Sequence, residues 1–369
     1  MARTLKSDKL LFLSALLLVG ASVVMVYSAS AVLALEWYQQ PYLFLFKQLA
    51  WALVGLLLVF IFMRIDYRRY REPVVVWTAV TVAGAALIAV LFSAPIHGTR
   101  RWFSFGGLTV QPSEMAKLAA VVFAAALLER RLDRIEELSQ VLLPLGLVAG
   151  GFAGLILLQP DFGTAVSVVV VVLAMAFVAG LPYRVLGGLA LALLPVVWLL
   201  VMSAEYRRRR VLAFLDPWSD PLGDGFQIIQ SLIAVGTGGI FGRGLMGGVQ
   251  KLFYLPEPHT DFIYAVVAEE LGLVGATLVL ACFCVIAWRG LRAAARAPDR
   301  FGTFLAVGLT MMIVLQALMN ISVVLGLMPT KGIPLPLVSA GGSSLLVNLV
   351  GVGILLNVSQ QASPLADGA

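Results

Sequence analysis

The sequence has little charge and few of the residues that build soluble catalytic centres. Only 12% of its 369 residues are charged, and it contains two histidines and two cysteines. Cys282 and Cys284 stand two apart in one apolar run, where a helix turns their side chains about 200° apart and prevents a disulfide. His97 and His259 do not stand at a metal-ligand spacing, which argues against a structural zinc site. No GxxxxGK[ST] motif is present, so we exclude ATP-driven transport by this chain alone.

Apolar sequence is abundant instead, at 60% of the chain with a mean hydropathy of +0.96. Runs of this length and composition are buried in lipid rather than in one water-soluble core. The predicted fold class is therefore an all-α polytopic membrane protein, a single membrane domain over 1–369 with ten transmembrane helices. The length of the first run predicts that no signal peptide is cleaved. The ten apolar runs lie at about 10–35, 43–63, 74–93, 113–128, 141–158, 164–181, 185–203, 262–288, 301–328 and 343–358.

Basic residues predict the orientation of these spans. Fifteen Lys or Arg residues precede the first span or follow the second, fourth, sixth and eighth, whereas the opposite short loops and their flanks hold only Lys47, Arg100, Arg101 and Lys331. The positive-inside rule therefore places both termini in the cytoplasm. The long segment 204–261 falls outside, since loops of this length cross largely regardless of charge. The net charge of +6 forms no basic face, and nucleic-acid binding is not expected.

The extracytoplasmic loop 204–261 has two informative parts. Four consecutive arginines, Arg207–Arg210, follow the seventh span. On the outer face, such a cluster fits either a specific anionic partner or anchoring to lipid headgroups, and the sequence leaves both open. A later apolar stretch breaks off at Gly236, Gly238 and Gly239, which favours a re-entrant or interfacial helix.

Polar residues also crowd the start of the eighth span. Asp261 stands at its outer end, and Glu269 and Glu270 fall inside the apolar run. Helical geometry predicts that these two glutamates point to different sides of the helix. Carboxylates within a membrane span are costly and are functional candidates by default. The simpler alternative is a pair of helix-packing glutamates with Asp261 as a loop cap. Lys251 and His259 lie in the Gly- and Pro-rich loop before the span.

Three other outer connections carry polar residues. Glu114 and Lys117 stand three apart on the fourth span, which fits either an intrahelical ion pair or part of an anion site. Asp161, in the turn LQPDFGT, fits a helix cap as well as a chemical role. The connection MPTKGIPLPLVSAGGSS carries Lys331 and ends in a turn with Ser343–Ser344, whose N–H groups and hydroxyls are suited to an anion.

Four segments resemble, in order and spacing, the SEDS family (shape, elongation, division and sporulation), and the resemblance covers nearly the whole chain. They read RRWFSFGGLTVQPSEMAK, QPDFGTA, QKLFYLPEPHTDFIYAVVAEELGLVG and MPTKGIPLPLVSAGGSSL. The YLPEPHTDF and PTKG motifs are similar to the FtsW-like division branch, whereas PLP at Pro334–Pro336 is more typical of the RodA-like elongation branch. The resemblance implies a peptidoglycan glycosyltransferase of the bacterial cytoplasmic membrane, which polymerises lipid II with a class B penicillin-binding protein and other division or elongation proteins.

The resemblance also implies roles for individual residues. Asp261, the Asp of TDF, becomes the catalytic residue, with general base as its role. A divalent cation, Mg²⁺ or Mn²⁺, is compatible with a pyrophosphate substrate, and no other cofactor is expected. Two alternatives stay open: a lipid II flippase, which needs a polar path to the cytoplasmic face, and a non-catalytic division scaffold. The substrate-binding candidates are Arg101, Glu114, Lys117, Asp161, Gln227, Lys251, His259, Lys331, Ser343 and Ser344.

Overall fold

The computed structural model describes residues 7–96, 98–105, 108–135 and 137–362. Arg3 and Lys6, which contribute to the predicted orientation, and His97 lie outside the described residues. A short hairpin, β1 (Phe103–Phe105) with β2 (Leu108–Val110), precedes the fourth helix. Within the described ranges the α-helices are α1 (Lys9–Tyr38), α2 (Leu43–Arg64), α3 (Pro73–Val90), α4 (Pro112–Arg130), α5 (Leu143–Leu158), α6 (Phe162–Val178), α7 (Tyr183–Met202), α8 (Glu205–Leu215), α9 (Phe226–Gly238), α10 (Ile263–Ala295), α11 (Arg300–Val324) and α12 (Gly342–Gln361).

In the described part of the chain, eight helices are long and apolar enough to cross a membrane: α1, α2, α3, α5 with the turn before it, α7, α10, α11 and α12. The chain is therefore a predominantly helical, multi-pass membrane protein. Two more of the predicted spans correspond to α4, which carries charged residues in its first turns, and to α6, which is 17 residues long. The count of ten spans stays a prediction.

The interior is built around α11 and α12, which are buried along most of their length. Small residues allow their neighbours to approach closely, as is usual where helices pack within lipid. A side chain at Gly308 of α11 would meet Val121 of α4 and Met175 of α6 at 2.6 Å. The helices that begin beside Glu114 and Asp161 therefore pack directly against α11.

By contrast, α7 has no buried residue among those described. After Arg184 its side chains are apolar all round, and Leu191, Leu194, Trp198 and Leu199 are each more than half exposed. A helix of this kind is stable where lipid covers it. The end of α7 leads directly into α8 and the four-arginine cluster.

The eighth predicted span is not one continuous helix, because α10 is broken at Gly272. This residue has φ 65° and ψ −164°, a conformation that is open to glycine and strained for other residues. Segment 239–244, which follows α9, supplies the backbone partners that the break removes. Arg243 N and Gly244 N donate to the carbonyls of Glu269 and Glu270 (both 3.0 Å). In return, the N–H groups of residues 273 and 274 donate to the carbonyls of residues 239 and 240.

This exchange fixes α9 and its following segment against α10. Buried backbone groups must be satisfied within the protein when water is excluded, and segment 239–244 satisfies both sides of the break. The side chain of Ser231 in α9 adds a hydrogen bond to the carbonyl of Val324 in α11 (2.8 Å). A helix is therefore present where a re-entrant or interfacial helix is predicted, and its depth in the membrane stays a prediction.

Candidate active site

Asp261 lies directly before α10, where the chain meets the loop between α11 and α12. Its carboxylate lies against Gly332: a Cβ atom at position 332 would come within 3.2 Å of Asp261 Oδ2. The side chain is half-buried. Burial and the nearby Glu257 carboxylate raise the pKa of Asp261 to about 7, although Arg210 and Arg101 oppose this rise. A carboxyl group with this pKa is suited to accept a proton near neutral pH.

A cavity of about 180 Å³ adjoins Asp261 at Gly332. Its wall combines the end of α7, one face of α8, the turn between α5 and α6, and the loop after α11. Four cations line it together with Asp161. We refer to this space as the cationic cavity, and its lining residues are Arg101, Pro160, Asp161, Phe162, Gly163, Val201, Tyr206, Arg207, Arg210, Val211, Pro329, Thr330, Lys331 and Gly332.

The three arginines of this cavity donate hydrogen bonds to backbone carbonyls, which carry no net charge. Arg101 donates from Nε to the carbonyl of Gln159 (2.7 Å) and from Nη2 to that of Pro160 (2.6 Å). Arg207 Nη1 donates to the carbonyl of Leu200 (2.8 Å), and Arg210 Nη1 reaches that of Thr330 (3.4 Å).

Lys331 Nζ lies 5.5 Å from the centre of the Phe162 ring, and burial lowers the pKa of Lys331. Across the described residues, none of the four cations forms an ion pair with a carboxylate. The cavity therefore offers positive charge to an anion.

Asp161 both caps α6 and contributes to the cavity wall. Its carboxylate accepts hydrogen bonds from Thr164 N (3.0 Å) and Thr164 Oγ1 (2.8 Å). Gln111 Nε2 adds a third, at 3.3 Å. The helix-cap alternative from the sequence is thus present in the structure. With these donors, the carboxylate is held rigidly at the edge of the cavity.

Glu114 and Lys117 form the ion pair that their spacing predicts, at 2.9 Å. Both side chains are buried, with exposed fractions of 1% and 4%. They do not line the cationic cavity, and Lys117 Nζ instead donates to Gln316 Oε1 on α11. Glu114 Oε2 has no hydrogen-bond partner among the described residues. Gln316 in turn donates to the carbonyl of Pro334, so the pair is connected to the loop after α11.

Lys251, Glu269 and Glu270 belong to a second buried cluster outside the cationic cavity. Lys251 Nζ pairs with Glu270 Oε1 at 2.7 Å and donates to Ser28 Oγ at 2.8 Å. The Glu269 carboxylate accepts from the backbone of Val249 (2.8 Å). Both glutamates therefore bind the loop that precedes Asp261, although helical spacing predicts that they point to different sides. Because Glu270 neutralises Lys251 inside the protein, and Lys251 does not line the cationic cavity, Lys251 is not available to an anion there.

The remaining candidates are dispersed around the end of the bundle that carries Asp261. The His259 ring packs against Phe44 at 4.9 Å, and burial lowers the pKa of His259. Ser343 Oγ accepts a hydrogen bond from Gln111 N at 3.2 Å. Ser344 is buried in the first turn of α12, and Gln227 is half-buried in the first turn of α9. Among the described residues, no group of three or more His, Cys, Asp or Glu side chains could hold a metal ion.

Sequence reasoning did not single out Gln316 and Asn320 of α11. Asn320 Nδ2 donates to the carbonyl of Asp261 (2.7 Å) and to that of Ile333 (2.8 Å). Carboxamides within an apolar span are costly unless they are paired. Two of them four residues apart in the ninth apolar run therefore indicate a polar contact that the sequence could have predicted. The cavity-facing arginines, Arg207 and Arg210, were recognised only as part of the four-arginine run.

Comparisons with known proteins agree over nearly the whole chain. A cell cycle protein family comprising FtsW, RodA and SpoVE matches residues 8–364. The probable peptidoglycan glycosyltransferase FtsW of Geobacter sp. strain M18 is 42% identical over 357 residues, covering 95% of this chain and 96% of the relative. The stage V sporulation protein E of Bacillus subtilis is 44% identical over 359 residues, covering 96% and 97%.

Two solved structures have similar folds. A chain from a peptidoglycan synthase complex that coordinates polymerization and crosslinking superimposes with a TM-score of 0.78 and 35% identity, covering 96% of this chain and 97% of that one. The rod shape determining protein RodA of Thermus thermophilus gives a TM-score of 0.71 and 29% identity, covering 98% and 99%.

Proposed function

The chain belongs to the FtsW, RodA and SpoVE family of cell cycle proteins, and we propose that it is a peptidoglycan glycosyltransferase that polymerises lipid II at the outer face of the bacterial cytoplasmic membrane. The observation that carries this proposal is Asp261, a carboxyl group with a pKa of about 7 beside a cavity lined by four unpaired cations. The full-length relatives named peptidoglycan glycosyltransferase support it.

In this reaction, the acceptor sugar's 4-hydroxyl oxygen attacks the anomeric carbon of the donor. A glycosidic bond forms, the bond from that carbon to the pyrophosphate breaks with inversion, and undecaprenyl pyrophosphate leaves with the electron pair. Asp261 takes the proton of the attacking hydroxyl as general base. The cations of the cavity, Arg101, Arg207, Arg210 and Lys331, stabilise the negative charge that grows on the leaving group.

The membrane geometry suits a substrate with one apolar and one charged end. The lipid tail lies along apolar helices while the pyrophosphate reaches the cationic cavity, whose wall includes Val201 at the end of α7. Ten spans with cytoplasmic termini place Asp261 and the loop 204–261 on the outer side, as the positive-inside rule predicts. The bacterial cytoplasmic membrane is the membrane in which lipid II is available.

A divalent cation and a partner complete the proposal. Mg²⁺ is commonly held by substrate phosphates and water with one or two carboxylates, so the pyrophosphate of bound lipid II would supply its main ligands. The partner is a class B penicillin-binding protein that crosslinks the new strands. The similarity to a chain of a peptidoglycan synthase complex supports a partner of this kind.

Polymerisation is tested with the purified chain, alone and with a single-pass penicillin-binding protein whose transpeptidase site is inactivated. Both samples receive labelled lipid II at equal concentration, and glycan strands are resolved on a gel. We expect strands from the complex and fewer from the chain alone, because a partner that contacts the loop 204–261 would favour the conformation that positions Asp261. Transfer of lipid II across vesicles without strands would indicate a flippase instead. If neither strands nor transfer is observed, the chain is a non-catalytic scaffold.

The pH dependence follows from the raised pKa of Asp261. Protonation removes the base, so kcat/KM for lipid II is expected to fall tenfold per pH unit below about 7 and to level off above it. Because the charge of Glu257 raises this pKa, Glu257→Gln is expected to move the midpoint to lower pH. A wild-type midpoint near 4, the ordinary range of a carboxyl group, would contradict the assignment.

A further inference from the structure

Three successive backbone carbonyls before α10, those of residues 259–261, accept hydrogen bonds from α11 and from the loop between α11 and α12. The carbonyl of His259 accepts from Ala340 N at 2.9 Å, and that of Thr260 accepts from Ser339 Oγ. The carbonyl of Asp261 itself accepts from Asn320 Nδ2 at 2.7 Å. The segment that carries the base is therefore fixed to α11 and to the loop that follows it.

Two carboxamides on one face of α11 hold this loop as well. Asn320 Nδ2 also donates to the carbonyl of Ile333 (2.8 Å), and Gln316 Nε2 donates to that of Pro334 (2.9 Å). We call Gln316 and Asn320 the carboxamide clamp. Both side chains are buried, and they stand one helical turn apart, which matches two consecutive carbonyls of an extended loop.

Lys117 extends the clamp towards α4. Its ammonium group donates to Gln316 Oε1 and pairs with Glu114. This contact leaves the amide nitrogen of Gln316 facing the loop, since the oxygen is already engaged. The buried ion pair thus orients one member of the clamp, although it lies outside the cationic cavity.

We propose that Asn320 is a positioning residue, whose amide group joins the backbone of Asp261 to the loop of Lys331 and so fixes the base relative to the cationic cavity. The proposal rests on the proposed function of Asp261. Lys331 and Gly332 immediately precede the carbonyl that Asn320 holds, and Gly332 lies against the Asp261 carboxylate. One amide therefore sets the separation between base and cation, and a misplacement of 1 Å costs about 10²-fold in rate.

If Asn320 had a purely structural role, its substitution would affect the protein in the same way as substitution of another buried asparagine. Asn357 provides this control. This residue is also a buried asparagine of an apolar helix, and its Nδ2 donates to the carbonyl of Met63 (2.8 Å) while its Oδ1 accepts from Tyr67 N (2.9 Å). It lies far along α12 from the site. Asn357→Leu therefore removes comparable hydrogen bonds from a comparable environment.

The test compares Asn320→Leu with Asn357→Leu in the full chain with its penicillin-binding partner. We expect both variants to lower the melting temperature, and only Asn320→Leu to lower kcat, by about 10- to 100-fold. KM for lipid II is expected to change less than about threefold, because the cations still bind the pyrophosphate. The pH midpoint of the rate should also move in Asn320→Leu alone, since the surroundings of the Asp261 carboxyl change.

Equal kcat values and pH midpoints in the two variants would overturn the proposal. If Asn320→Leu does not fold, Asn320→Asp replaces it, since this isosteric side chain cannot donate to two carbonyls and the same outcomes apply. Asp261→Asn and the unmodified chain are measured in parallel. If the unmodified chain is inactive, the proposed function itself is contradicted. If Asp261→Asn is active, the assignment of Asp261 as the base is contradicted. An active unmodified chain with inactive Asp261→Asn leaves Asn320 as the only role under test.

Discussion

Asp261→Asn is expected to reduce lipid II polymerisation by roughly 10²- to 10⁴-fold, which is the usual contribution of a general base. The substitution keeps the volume of the side chain and removes its ability to take a proton from the acceptor hydroxyl. The backbone carbonyl of Asp261, which Asn320 holds, is unchanged, so melting temperature and partner binding should be retained. The measurement is the initial rate of strand formation at a pH above 7.

The matched control is Asp224→Asn, which removes an exposed carboxylate from the same segment, 204–261. It changes the net charge by the same amount at a position outside the cationic cavity. We expect its rate to stay within about twofold of the unmodified chain, as is usual for a surface substitution. An Asp261→Asn variant that keeps more than about a tenth of the rate would show that another group, or water, accepts the proton.

Hydropathy predicts most of the helices because each apolar run is a local property of the sequence. The break in α10 at Gly272 is different. Glycine is common in membrane helices, and its effect here depends on segment 239–244, which lies about thirty residues earlier and supplies the missing hydrogen bonds. The hydrophobic pattern of the eighth apolar run contains no sign that segment 239–244 will bind there. The helix was therefore predicted, and its interruption was not.

The contacts of the candidate site are likewise of two kinds: contacts within a few residues, which the sequence predicts, and contacts between distant parts of the chain, which it does not. The Glu114–Lys117 pair follows from a spacing of three residues, and the cap of α6 follows from Asp161 at its start. The cationic cavity joins residues from four separate parts of the chain, and the sequence alone does not say which basic residues meet. For Lys251, the deciding contact is Glu270, nineteen residues away across a loop and about two turns past the start of a helix.

The four consecutive arginines illustrate this limit, because only two of them face the cavity. Arg207 and Arg210 stand three residues apart on one side of α8 and line the cationic cavity. Arg208 and Arg209 do not line it, and Arg209 pairs with Glu205. The sequence left open whether the run binds a specific anion or anchors to headgroups. The structure divides the run into two pairs of equal charge and different surroundings, which makes the question testable.

Arg207→Gln with Arg210→Gln is expected to lower kcat/KM for lipid II by about 10²-fold, since each arginine is one of the donors placed where the leaving pyrophosphate gains charge. Arg208→Gln with Arg209→Gln removes the same charge from the solvent side of α8, and we expect it to stay within about threefold. Inhibition by inorganic pyrophosphate, measured in the same assay, should weaken only in the first variant. Equal losses in both variants, with unchanged inhibition, would show that α8 acts through its overall charge at the headgroups. The comparison is informative because both variants lower the net charge of the same helix by two, whereas only the first removes arginines that line the cationic cavity.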